Sequence, residues 1–324
     1  MQLRTPFRFL TGIALAAAFA GATYAAACAA GEEPVTLAAP PGILQGTLDV
    51  PAGAGPFPLV IILAGSGPTD RNGNQGEQIR TDTYKQLAAG LAAKGVASLR
   101  YDKRGVAGSS RAVAKENDLR FETYADDAAA WVAKVRKDPR FNRIFIAGHS
   151  EGSLVGILAA QRTKIDGFVS LDGAGRRVPA LLHDQLAKGA PNLVVQSDAI
   201  AAQLQRGQSV DDVPDELQML YRPSVQQYLI SWFKYDPATE LAKLKIPVTI
   251  VQGEADIQVP VSDAKLLAAA DPAAKLVIVP GMSHPLKHVG GTSPADENPA
   301  YVDPALPLDP AVVQAIVDLI ARAA

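Results

Sequence analysis

The sequence predicts an α/β fold: a mostly parallel central sheet with helices on both faces and a helical cap inserted past the middle. Three observations predict it. Short apolar runs rich in β-branched residues alternate with stretches of three-to-four apolar spacing. The run Leu59-Val60-Ile61-Ile62-Leu63 is apolar without interruption, as suits a strand buried on both faces. One interval, about 173–244, passes without a convincing strand, too long for a structureless connection in a compact domain.

The first 30 residues stand apart from this pattern. Arg4 and Arg8 precede an apolar run from Phe9 to about Ala22, then small residues through Ala30, the layout of a secretory signal. The run is short of the roughly 20 residues a membrane span needs. Cleavage sites are offered by Ala25, Ala27 and Ala30, and Ala25-Ala26-Ala27-Cys28 loosely resembles a lipoprotein box, with Ala25 where Leu is usual. The expectation is an exported protein, periplasmic or extracellular, membrane-attached only if Cys28 is lipidated. The leader holds two arginines and no acid, so its removal takes the formal charge from −2 to −4.

Residues 31–324 then read as one domain. Strands are expected at Leu44–Val50, Leu59–Leu63, Ala97–Tyr101, Arg143–Ala147, Gly167–Leu171, Val248–Val251 and Lys275–Val279, each bounded by Gly, Pro or polar residues. Helices fall between them at Thr83–Lys94, Thr123–Lys137 and Ser150–Arg162. Within the cap interval, helical patches occur at Pro179–Lys188, Asn192–Arg206 and Val225–Tyr235; the strand-helix rhythm resumes at Ile246. Asp309-Pro310 supplies a cap and first-turn proline for a last helix with Val312, Val313, Ile316, Val317 and Ile320 inward.

Composition narrows the function. With 31 Lys and Arg against 33 Asp and Glu there is no basic surplus, so nucleic acid is not an expected partner. A single cysteine excludes an internal disulfide and a thiolate metal cluster. The four histidines form neither an HExxH pair nor a helical i, i+4 pair, so no metal is expected, and no motif calls for an organic cofactor.

The chemistry sits at strand ends. Gly148-His149-Ser150-Glu151-Gly152 follows one strand directly and opens a helix, presenting Ser150 on a tight turn relieved by glycines. A serine nucleophile needs a base, and the base a carboxylate to orient it. His284 follows the strand ending at Val279, and Asp256 follows the one ending at Val251. Asp172, after the strand ending at Leu171, is an alternative acid, and Glu254 a weaker one. The backbone amides of Glu151 and Ser66 are the candidate oxyanion donors, Ser66 lying in the glycine-rich loop Ala64–Gly73.

Gly65-Ser66-Gly67-Pro68 with Asp70-Arg71, Arg100-Tyr101-Asp102-Lys103-Arg104-Gly105, Gly148-His149-Ser150-Glu151-Gly152, Gly253-Glu254-Ala255-Asp256 and Gly281-Met282-Ser283-His284 together resemble the secreted bacterial serine esterases of the α/β-hydrolase superfamily. The resemblance runs from about Gly42 to Ala324 and is weakest across the cap. It implies carboxylester hydrolysis by Ser150, His284 and Asp256, with oxyanion amides at Ser66 and Glu151. Ala64 stands where many relatives have His, so the oxyanion loop is expected to be held in another way.

The expected activity is therefore that of a serine carboxylesterase acting on short- to medium-chain acyl or aryl esters of small molecules. An amidase or peptidase of the same fold, or a non-catalytic binding protein on that scaffold, is the alternative. Asp70, Arg71, Asp102 and Arg104 read as braces for turns. His149 reads as structural or pocket-lining, and His183 and His288 as cap and loop residues. Tyr221, Tyr228, Trp232, Phe233 and Tyr235 form an aromatic cluster that packs inward, with one or two members available to a pocket.

Overall fold

Pro34 cannot donate to a strand ladder, and Glu32 and Glu33 favour water, so Gly31–Ala39 does not read as a strand; in the computed structural model it is one. The structure describes residues 31–323. The expected leader and Cys28 lie outside the described residues. Strand β1 (Gly31–Ala39) pairs antiparallel with β2 (Gly42–Val50) and forms one edge of the sheet. An edge strand with one face toward water tolerates both the proline and the acids. Glu32 reaches across β2 to ion-pair with Arg100 of β4 (Ala97–Tyr101).

The sheet has eight strands in the order β1-β2-β4-β3-β5-β6-β7-β8. Besides those named, they are β3 (Phe57–Leu63), β5 (Phe141–His149), β6 (Gly167–Leu171), β7 (Val248–Gly253) and β8 (Lys275–Val279). From β4 to β8 every pairing is parallel. β6 and β7 are buried throughout, whereas β8, at the far edge, is partly exposed despite its apolar sequence Leu276–Val279. This is the arrangement the resemblance implied.

Helices α1 (Thr83–Ala92) and α11 (Pro310–Arg322) cover one face around Leu87, Leu91, Val312 and Ile316. On the other face lie α2 (Phe121–Val135), α3 (Glu151–Ala160) and α9 (Val261–Ala270), packed through Trp131, Ile157 and Leu267. Asp309 caps α11 by accepting from the Ala311 N–H at 2.9 Å. Val317, read as inward from sequence, is half-buried, and Leu319 fills the core instead.

Between β6 and β7 the chain is helical: α4 (Val178–Gly189), α5 (Val194–Gln205), α6 (Gln218–Tyr221), α7 (Gln226–Trp232) and α8 (Pro237–Leu241). Tyr221, Tyr228 and Phe233 are buried, and Trp232 stacks on Phe121 with ring centroids 5.3 Å apart. One further helix, α10 (Pro294–Val302), lies between β8 and α11. It begins with a reciprocal capping box between Ser293 and Asp296. Strands β3 to β8 all deliver their carboxyl ends to one rim of the sheet, where parallel α/β proteins bind ligands.

Candidate active site

The turn from β5 into α3 holds Ser150 at φ 54°, ψ −120°, outside the regions an L-residue favours. Two glycines allow it. A Cβ on Gly148 would lie 2.1 Å from the Gly152 carbonyl oxygen, and one on Gly152 would lie 2.4 Å from that of Leu63. Backbone thus fills the space any side chain would need. The Ser150 N–H is anchored on the Leu171 carbonyl at 2.9 Å, and α3 is buried from Glu151 to Ala159, so its start is rigidly placed.

The loops after β7 and β8 complete a chain of hydrogen bonds. Ser150 Oγ is 3.1 Å from His284 Nε2, and His284 Nδ1 is 2.7 Å from Asp256 Oδ2. The second Asp256 oxygen accepts from the N–H groups of Gln258 and Val259 at 2.7 and 2.9 Å. This fixes the carboxylate, and the carboxylate makes Nδ1 the protonated nitrogen, leaving Nε2 to accept from Ser150. Glu297 on α10 accepts from the His284 N–H at 3.1 Å and so ties the loop after β8 to that helix. Burial pushes the His284 imidazole down, but the Asp256 charge and hydrogen bond outweigh it, and the pKa lies above the usual 6.5.

The loop after β3, the candidate oxyanion loop, is gripped at two points. Its Gly65 N–H donates to the Tyr84 hydroxyl at 3.0 Å, and its Gly65 C=O accepts from Lys103 Nζ at 2.5 Å. In a planar trans peptide C=O and N–H point oppositely, so drawing the Gly65 oxygen toward Lys103 turns the Ser66 N–H the other way. Among the described residues neither the Ser66 nor the Glu151 N–H meets a protein acceptor. Lys103 also ion-pairs with the Glu151 side chain at 3.1 Å, both groups being buried. One ammonium therefore links the two segments that carry these amides. Lys103 and Tyr84 do the holding that the absence of His at position 64 left open.

His149 joins the same network from the other side. Its Nε2–H donates to the His284 carbonyl at 2.8 Å, because a carbonyl can only accept. Its Nδ1 therefore accepts from the Tyr84 hydroxyl, also at 2.8 Å. Burial, with His284 close by, pushes its pKa down to about 3, so the ring stays neutral.

Asp172, the alternative acid, is fully buried and lies close to both imidazoles, but it accepts from the Gly253 N–H at 2.7 Å and its other oxygen has no partner. Burial and the neighbouring Asp256 raise its pKa well above the carboxylate range. His284 Nδ1 is hydrogen-bonded to Asp256 while Asp172 is turned to the Gly253 N–H, so geometry favours Asp256. Asp172→Asn is expected to keep most of the activity, whereas Asp256→Asn, by forcing the wrong tautomer, should cost on the order of 10⁴-fold in kcat. Steady-state rates of the two variants check this. His149, Asp172 and His284 are close enough to share an ion, yet all four ring nitrogens already hold protein partners.

The other polar residues singled out from sequence brace loops. Asp102 accepts from Arg71 through backbone and guanidinium at 2.8 and 2.6 Å, and Arg104 makes a two-point pair with Asp127. His183 pairs with Asp198 at the surface, and His288 is exposed. Glu254 is exposed, and the His284 ring nitrogens bond to Asp256 and Ser150 instead. Sequence reasoning missed Tyr84, Lys103, Gln258, Glu297 and Tyr301. For the last two a signal existed: Ser293-Pro294-Ala295-Asp296 announces a helix start.

Comparison with known proteins agrees with the fold. The family Hydrolase_4, described as serine aminopeptidase, S33, matches residues 76–288, which include Ser150, Asp256 and His284. Esterase EstD of Thermotoga maritima is 31% identical over 233 residues, 69% of this chain and 52% of that protein. The chain thus spans about half the length of that relative. Among solved structures, Est1E from Butyrivibrio proteoclasticus with ferulic acid bound has a TM-score of 0.59 at 21% identity, covering 89% of this chain and 99% of that one. A thermophilic esterase from Thermogutta terrifontis gives 0.54 at 18% identity, covering 91% and 99%. The fold is that of the α/β-hydrolases.

Proposed function

The chain belongs to the Hydrolase_4 family, and from that premise we propose that it is a serine carboxylesterase cleaving acyl or aryl esters through an acyl-enzyme. The observation that carries this is the unbroken line Ser150 Oγ, His284 Nε2, His284 Nδ1, Asp256 Oδ2 at 3.1 and 2.7 Å, opening on a cavity. Ser150 Oγ bonds to the ester carbon while its proton passes to His284 Nε2. The carbonyl electrons move to the oxygen, which the Ser66 and Glu151 N–H groups receive. Collapse breaks the bond to the alcohol, which leaves with the proton from His284. Water then repeats the sequence and releases the acid. Hydrolysis of p-nitrophenyl esters from acetate to laurate, by the wild type and by Ser150→Ala, tests the reading. Turnover that survives the substitution sinks it.

An aminopeptidase needs a carboxylate to hold the substrate's terminal ammonium. Among the described residues no acidic side chain lines the cavity that His284 faces, and the Glu151 carboxylate beside Ser150 is already paired with Lys103. This favours the ester over the peptide substrate. The helical insertion at about 173–244 serves as the cap, since Val178, Leu181, Leu182 and Trp232 from it line a cavity shared with Ser150. Residues 1–30 serve as an export leader; an intact Met1 on protein recovered from the periplasm would overturn that.

Because the His284 pKa is raised, the base is lost to protonation at a higher pH than an ordinary histidine's. The acid limb of kcat/KM is expected above pH 6.5 rather than at it. Asp256→Asn removes the charge that raises the pKa, so the residual activity should show that limb displaced to lower pH. A pH–rate profile of both proteins reads the sign directly.

A further inference from the structure

Two cavities share Ser150, Ser66 and Gln258 in their walls. The larger, about 260 Å³, is lined by Thr69, Gln75, Gln258 and Tyr301, with Ile79 and Pro285 as its aliphatic members. The smaller, about 90 Å³, has Leu154, Val178, Leu181, Leu182, Trp232 and Val259 as its apolar members, with Glu151 and Gln185 also in its wall. His284 lines the first and not the second.

That asymmetry orients an ester. The leaving oxygen must take its proton from His284 Nε2, so the alcohol departs on the side where His284 is accessible. The acyl chain, on the other side of the attacked carbon, then falls to the smaller cavity, along its Leu181, Leu182 and Trp232 side. The larger cavity keeps unspent hydrogen-bonding capacity. Gln258 Nε2 donates to the Tyr301 hydroxyl, which retains its own hydrogen. The side-chain oxygens of Gln258 and Gln75 meet no protein donor among the described residues. An apolar alcohol would bury these groups without partners, and a hydroxylated one would satisfy them.

We propose that the enzyme's preferred substrates join a short apolar acyl group, acetyl to butyryl, to a hydroxyl-rich alcohol about the size of a sugar ring. The acyl chain sits among Leu181, Leu182 and Trp232, and the alcohol lies against Gln258 and Tyr301. This rests on the esterase reading above.

The test compares kcat/KM on methyl glucoside 6-acetate with that on cyclohexylmethyl acetate, which matches its shape without the hydroxyls. The glucoside series is then extended to butyrate and octanoate. A preference of roughly tenfold or more for the hydroxylated acetate is expected from two added hydrogen bonds. Acetate and butyrate should both exceed octanoate. Leu182→Ala should shift the optimum to longer chains, and Tyr301→Phe should shrink the glucoside-to-cyclohexylmethyl ratio. Equal or reversed alcohol preference, or an octanoate optimum in the wild type, overturns the proposal. Failure of the esterase reading looks different: p-nitrophenyl acetate is then not cleaved, or is cleaved equally by Ser150→Ala, and the proposal falls with it.

Discussion

Ser150→Gly is expected to lower kcat for ester hydrolysis by roughly 10⁴–10⁶-fold and, at the same time, to make the protein more stable. The first effect is the loss of the nucleophile; what survives is catalysis by the oxyanion amides and by substrate binding. The second follows from the backbone. Ser150 sits at φ 54°, ψ −120°, a conformation that costs a residue with a Cβ on the order of 1–3 kcal/mol. Glycine adopts positive φ without that penalty, though its freer unfolded chain returns about 0.4–1 kcal/mol. The net gain should be about 1 kcal/mol, a rise of a few degrees in Tm. Calorimetry beside kinetics checks both halves. An inactive variant that is also less stable would mean the turn carries no strain.

Lys103→Met should lower kcat by roughly 10²–10³-fold, with KM much less affected. The Gly65 carbonyl loses its donor, so the loop keeps only its Tyr84 grip and the Ser66 N–H is no longer fixed toward the position where charge develops. The variant should also lose about 3–5 kcal/mol of stability, because the Glu151 carboxylate is left buried and unpaired. Those two effects separate in the double variant Lys103→Met/Glu151→Gln. Neutralising both partners should return most of the stability and little of kcat. Recovery of both together would mean that Lys103 only balances Glu151 and positions nothing.

The proposed triad was legible because its signals are local. Each member follows a strand that the apolar pattern marks, and the chain order Ser, Asp, His leaves few other assignments. What could not be read is distance between strands. Asp172 and Asp256 follow neighbouring strands and look alike in sequence; only the fold shows His284 bonded to Asp256 and Asp172 turned to the Gly253 N–H. Lys103 lay in a quoted motif, but nothing in Asp102-Lys103-Arg104 says which of three charges turns inward. Tyr84 reads as one more core aromatic of α1, since periodicity locates the ring and not the hydroxyl. β1 escaped because Glu32, Glu33 and Pro34 erase the apolar alternation at an edge, where pairing needs no buried face.

The neutral imidazole of His149 acts as a crossbeam. Through Tyr84 it holds the oxyanion loop, and through its own Nε2–H it holds the backbone of His284, a residue 135 positions away. Neither side of the site can drift without breaking the same ring's hydrogen bonds. A partly loosened molecule is therefore silent rather than sluggish. In rising urea, titration of reactive Ser150 with a fluorophosphonate should count fewer and fewer competent molecules, each still turning over at its full rate.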